Sequence, residues 1–202
     1  MTLTEIGEIG VRIGGTMHKL RPSLAAIAQL GTPTEIVRVF VSVMADIDHP
    51  DRFADALAVL NACSDEDLSE VFGCFVMARA GKGLRYKQGK ADPAHIVPLA
   101  QCLIKHGVIG ALPTLPSKPG AEPEFVQEFD ARAHVALAVA HLGVSSSEAW
   151  NMTMTELVGA LRAKFPQQPS NEPGARAPTA EEHAKTMEWF ERVEAARNRQ
   201  SP

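Results

Sequence analysis

A chain of 202 residues, 45% hydrophobic and 22% charged, is long enough to bury one sizeable core and is expected to be soluble and globular. Its net charge of -4 gives no general attraction for phosphate backbones or anionic membranes, which disfavours nucleic acid and membrane surfaces as partners. Cys63, Cys74 and Cys102 are far apart with no Cys-x-x-Cys pair, no apolar run approaches the roughly 20 residues that span a bilayer, and the N-terminus has no leader pattern; together these predict an intracellular protein with reduced thiols.

In chain order, Glu5 to Leu20 predicts a β-hairpin. Ile9, Val11 and Ile13 alternate with Gly10 and Arg12, and Gly14-Gly15 supplies a turn tolerant of positive φ. Two strands alone are marginal in water, so the pair must lie against helices or against another chain. Arg21-Pro22-Ser23 then opens a short helix bearing Leu24, Ile27, Ala28 and Leu30, which Gly31 ends. Thr32 or Thr34 starts a second helix, Pro33 to Asp46, and Pro50 a third with Phe53, Leu57 and Leu60 inward. Ser64 predicts a fourth over Asp65 to Ala80, because Leu68, Val71, Phe72, Phe75 and Val76 recur at helical spacing. Four amphipathic helices in succession predict a helical bundle.

Residues 79–90 form the chain's one basic stretch, with Arg79, Lys82, Arg85, Lys87 and Lys90 interleaved with glycines and no acid before Asp92. It reads as a solvated loop; the spacing around Gly81-Lys82-Gly83 is not that of a phosphate loop. A helix follows from Pro93 to Gly107, with Pro98 expected to bend it. Residues 108–122, rich in proline, read as an extended connector.

The stretch from Glu122 onward has helical grammar through Leu142, apolar on most sides and ended by Gly143. Ser145 with Glu148, then Thr153 with Glu156, repeat a cap-and-carboxylate signature, predicting a short helix through Trp150 and another over Met154 to Lys164. Trp150, Met152 and Met154 cluster at that elbow, where such residues either fill a core or meet a partner. Residues 166–178 read as a flexible linker and 179–202 as a separate amphipathic helix. Met187, Phe190 and Val193 form its narrow apolar stripe with Trp189 beside it, a pattern suited to docking in a groove.

The reading is therefore mainly α: a helical bundle with a short N-terminal β-hairpin, spanning 1–165, and a flexibly linked C-terminal helix. No residue reads as catalytic, cofactor-binding or metal-ligating. Asp130, His134 and His141 share one helix loosely, without a His-Glu-x-x-His pair or further ligand cluster. No nucleophile elbow is present, and the carboxylates sit on first turns. Candidate partner-binding residues are Trp150, Met152, Met154, Met187, Trp189, Phe190 and Val193.

Three stretches resemble a known group: LRPSLAAIAQLG after the strand pair (Leu20 to Gly31), HIVPLAQCLIKHGVIG (His95 to Gly110) and LGVSSSEAWNMTMTEL (Leu142 to Leu157). They are similar to the tail assembly chaperones of long-tailed bacteriophages and their prophage relatives, a likeness that extends over about half the chain. The resemblance implies a non-enzymatic factor of the host cytoplasm, absent from the mature virion, without cofactor. It implies binding to the tape-measure protein, which stays soluble while tail-tube subunits assemble around it; tail-tube subunits and a second copy of the chain are further partners to be expected. In that family a longer form arises by frameshifting. The competing class is a helical DNA-binding regulator using residues 142–157, part of a stretch from Ala136 to Leu157 with the length and mid-glycine of a helix-turn-helix, or the basic loop 79–90.

Overall fold

A computed structural model describes residues 4–45, 49–78, 83–112 and 127–166, together with Met187. Those from Thr4 to Phe165 belong to one compact unit, and Pro166 and Met187 to a second. The linker expected over 166–178 and the helix expected over 179–202 lie, Pro166 and Met187 apart, outside the described residues, as does the proline-rich part of the connector.

Strand β1 (Ile9–Ile13) pairs antiparallel with β2 (Thr16–Leu20), Ile13 opposite Thr16 and Ile9 opposite Leu20. The loop residues Gly14 and Gly15 have φ of 58° and 88°, the type I′ turn whose twist matches a two-residue hairpin. Helix α1 (Leu24–Ala28) starts where the Ser23 hydroxyl accepts from the Ala26 N–H at 3.1 Å. Helix α2 (Pro33–Met44) has a full capping box of Thr32 and Glu35, and these bonds from Thr32 hold the Glu35 carboxyl below its usual range. Helix α3 (Arg52–Ala62) follows.

The expected fourth helix stops after one turn, α4 (Ser69–Phe72). Gly73 then takes φ 88°, ψ 177°, a region essentially closed to other residues, and a Cβ there would collide with the Lys87 carbonyl and the Tyr86 ring. The chain turns into β3 (Cys74–Met77), which pairs with β4 (Leu84–Lys87) in a second antiparallel hairpin. The fold is consequently mixed α/β with helices dominant, and the expectation of a mainly α helical bundle with a single hairpin is corrected. The helical spacing of Leu68, Val71 and Phe72 is real, but Phe75 continues it only by coincidence with strand alternation.

Helix α5 (Ile96–Ile104) begins after a 3₁₀ turn, Pro93–His95, capped by Asp92. Pro98 therefore falls in the first turn, where its missing N–H forfeits no intrahelical bond, and the cause of an interior bend is removed. The helix ends by widening into a π turn, Lys105–Ile109. Helix α6 (Ala131–Leu142) is capped by Asp130, whose carboxylate accepts from the Arg132 N–H at 2.9 Å, so Glu128 and Phe129 precede it rather than belong to it. Only Ala131, Val135 and Ala138 of it are buried, a stripe narrower than the all-round burial expected. Helices α7 (Ser146–Asn151) and α8 (Met154–Lys164) both open with the capping boxes read from Ser145/Glu148 and Thr153/Glu156.

Among the described residues two apolar clusters result. One unites the first hairpin with α2, α3, α4 and α5; the other unites α1, Phe129, α6, α7 and α8. Helices α1 and α2 contribute to both, Ala26 and Val39 facing the first and Ile27 and Ile36 the second.

A polar junction locks the hairpin to the α7–α8 elbow. Glu8 is fully buried, and its carboxylate meets Lys19 Nζ at 2.7 Å and the Arg21 guanidinium. Arg21 reaches on to Glu156 at 2.8 Å and to the Asn151 carbonyl at 3.0 Å, while its own N–H donates to the Cys63 carbonyl at 2.7 Å. Beside it Ser23 and Thr153, the caps of α1 and α8, form a β-bridge, and the Leu24 N–H donates to the Met152 carbonyl at 2.8 Å. A buried carboxylate is tolerated only when paired and hydrogen-bonded. Arg21→Ala should thus lower stability by about 2–3 kcal/mol, less than the roughly 3–5 kcal/mol of a fully broken buried pair because Lys19 remains. Urea midpoints measure it, and a loss below about 0.5 kcal/mol would remove the junction's structural importance.

Under the same elbow, His106 Nδ1 lies 2.8 Å from the Thr155 hydroxyl, which also accepts from the Ala111 N–H at 3.1 Å. Burial, and then the Lys105 charge, hold the imidazole below its ordinary value of 6.5. The folded state therefore resists a proton that the unfolded chain accepts, so this contribution is complete above pH 6.5 and is lost as pH falls below it. Between about pH 7.5 and 5.5 the wild-type Tm should drop more than that of His106→Gln; parallel Tm curves would contradict this.

Candidate partner-binding surface

The second hairpin presents the most exposed large apolar side chains among the described residues. Its register sets Phe75 opposite Tyr86 and Met77 opposite Leu84, and strand alternation places these four on one face, with Cys74, Val76, Arg85 and Lys87 on the other. The base of the apolar face is fixed. Tyr86 donates its hydroxyl to the Phe72 carbonyl at 2.6 Å, and its burial pushes the phenol pKa up. Its ring stands edge-on to Phe53 of α3 at 4.8 Å, and Phe75 completes the trio at 5.9 Å from Tyr86 and 6.5 Å from Phe53.

Beyond this anchor the face continues into solvent. Met77 is 70% exposed, Leu84 67% and Phe75 40%. Arg85 and Lys87 are exposed on the opposite face of β4, and no acid interrupts the sequence between Arg79 and Asp92. An apolar face on an aromatic base, with cations on the reverse of the same strand, can grip an apolar segment with acidic flanks; it contains neither a nucleophile with its base nor an acid–base pair. The hairpin takes up part of what the sequence presents as a solvated basic loop. The signal that could have found it is the short alternation in CFVM and LRYK on either side of a glycine-rich turn.

The residues expected to meet a partner divide three ways. Trp150, Met152 and Met154 are brought together, but Met154 is buried in the second cluster, and Trp150 and Met152 are half-buried against it. Met187 is half-exposed. Trp189, Phe190 and Val193 lie outside the described residues. The elbow also fails the geometry of DNA readout, because Met154, Thr155 and Leu157 at the start of α8 are buried and Glu156 is held by Arg21.

The histidine seam has separate structural tasks. His134 stacks on Phe129 at 4.8 Å with Nδ1 2.7 Å from the Asp130 carbonyl, and His141 meets the Phe165 ring edge-on at 5.6 Å. Among the described residues no group of three His, Cys, Asp or Glu is placed to hold a metal ion. Cys63 is buried, its thiol pKa pushed up to about 12, and is therefore unreactive. Among the described residues no helix is long and apolar enough to cross a membrane.

No curated protein and no solved structure matches the chain. Residues 47–185, which include α3 to α8 and the whole of the exposed hairpin, match the model of a family of unknown function (DUF6246), and the chain belongs to that family.

Proposed function

We propose that this protein is a non-enzymatic phage tail assembly chaperone that acts in the host cytoplasm, binds the tape-measure protein, keeps it soluble while tail-tube subunits assemble, and is absent from the mature virion. The observation that carries the reading is the β3–β4 hairpin: an apolar face braced by Phe53 and Tyr86 and left open at Met77 and Leu84. A long amphipathic polypeptide aggregates through its apolar stripes until they are enclosed, and a rigid apolar face covers such a stripe without large ordering losses. Two of the stretches that carry the family resemblance also support it, since Leu20 to Gly31 and Leu142 to Leu157 meet at the Arg21 junction.

Co-expression with a tape-measure protein tests the proposal. Wild-type protein should move that partner from pellet to supernatant and co-elute with it on gel filtration, because binding removes the aggregating surface by mass action. Met77→Ser with Leu84→Ser should leave the far-ultraviolet circular dichroism unchanged and weaken the complex about tenfold to a hundredfold, the effect of losing roughly 0.7–1.4 kcal/mol of apolar burial per residue, since the interface covers each side chain only in part. Met187→Ser with Phe190→Ser and Val193→Ser asks the same of the tail. If the tape-measure protein stays insoluble with wild-type chain and no complex survives gel filtration, the function is wrong; if only the hairpin variant behaves as wild type, the function stands and the surface is misplaced.

A further inference from the structure

Among the described residues the first hairpin leaves a main-chain edge open. β1 and β2 form a two-stranded sheet, and the type I′ loop makes Ile13 and Thr16 a hydrogen-bonded pair, so Ile9, Val11 and Ile13 direct their main-chain groups to β2. Gly10 and Arg12 direct theirs outward, and both residues are exposed. Along that edge runs a groove of about 470 Å³ whose apolar lining includes Ile9, Val11, Ile13, Phe72, Pro98 and Leu99. An unpaired edge beside an apolar trough is suited to an extended chain.

The sequence of β1 identifies that chain. Ile9-Gly10-Val11-Arg12-Ile13 is symmetric in its apolar positions about Val11. We propose that the occupant is β1 of a second copy, paired antiparallel about Val11 to give a four-stranded sheet in the order β2–β1–β1–β2. In this register each Gly10 faces the Arg12 of the other copy, and the two outward-pointing residues exchange main-chain hydrogen bonds, four in all by the antiparallel pattern. Each cation then lies opposite a glycine, whereas a parallel pairing would set like charges side by side. Ile9 meets Ile13 and Val11 meets Val11, all on the face that lines the groove, so each copy fills the trough of the other. The contact is isologous and closes at two chains. It does not depend on what the exposed second hairpin binds.

Sedimentation equilibrium of the full chain from roughly 1 to 100 µM should show the mass rising from 21.7 kDa toward twice that value. Arg12→Pro removes the outward N–H while leaving the β1–β2 ladder intact; it should keep the wild-type circular dichroism and stay monomeric throughout. In a Cys74→Ser/Cys102→Ser background, oxidised Val11→Cys should form a covalent dimer, because the two Val11 positions are a close non-hydrogen-bonded pair. Met17→Cys, on β2, should not. A wild-type chain monomeric over the whole range, an Arg12→Pro chain that dimerises undiminished, or crosslinking through position 17 and not 11 would each overturn the proposal.

Discussion

The buried carboxylate of Glu8 is the constraint on which the architecture turns. An ionised group without access to water has to be neutralised nearby, and the neutralising side chain, Arg21, is planar with several fixed donors. It consequently neutralises Glu8 and also binds Glu156 at the first turn of α8 and the Asn151 carbonyl at the end of α7, while the main-chain N–H of the same residue donates to the Cys63 carbonyl at the end of α3. Glu156 serves two structures at once, closing the Thr153 capping box and receiving Arg21. The start of α8 and the placement of the first hairpin are thereby one geometric fact.

From that junction the molecule divides its work. The two apolar clusters share α1 and α2, so neither is a free-standing domain, and the second hairpin projects from the first cluster on the Phe53 ring. A two-stranded hairpin alone is marginal; here the Tyr86 hydroxyl and two aromatic contacts hold its base, while Met77 and Leu84 stay exposed. Fixed at its base and exposed at Met77 and Leu84, it leaves more apolar surface open than the elbow, whose Met154 is already packed.

The capping chemistry was legible in the sequence because it is local. Ser145 with Glu148 and Thr153 with Glu156 signal their helices within four residues, and Gly14-Gly15 signals the first turn. What was not legible depended on distant partners. Gly73 reads as a tolerable glycine in a helix until Lys87 and Tyr86 are seen to press against it, and the strand it releases is only four residues long, too short for its period to defeat the helical one. Phe129 looks like part of α6 but donates its N–H to the Pro33 carbonyl at 3.0 Å, leaving Asp130 to cap the helix. The candidate surface was hidden for the same reason: only the pairing of β3 with β4 puts Met77 beside Leu84, and the basic composition between them reads as a loop. The polar junction was equally invisible, since nothing near Glu8 in the sequence shows that it is buried.

The sequence separation of the junction orders the birth of the molecule. Arg21 and Glu156 are 135 residues apart, so at a synthesis rate of about 5–20 residues per second Arg21 precedes its partner by roughly 7–27 s. During that interval the hairpin, α2, α3 and α5 have all been made and can assemble through the first cluster, with Glu8 already met by Lys19 and Arg21 close at hand in the chain. Helix α8 is made after these elements, and its capping carboxylate engages a guanidinium held ready by the earlier half. Helix α8 thus closes back onto the first hairpin, and a ribosome that stalls before Glu156 leaves a molecule with its first core built and this latch missing.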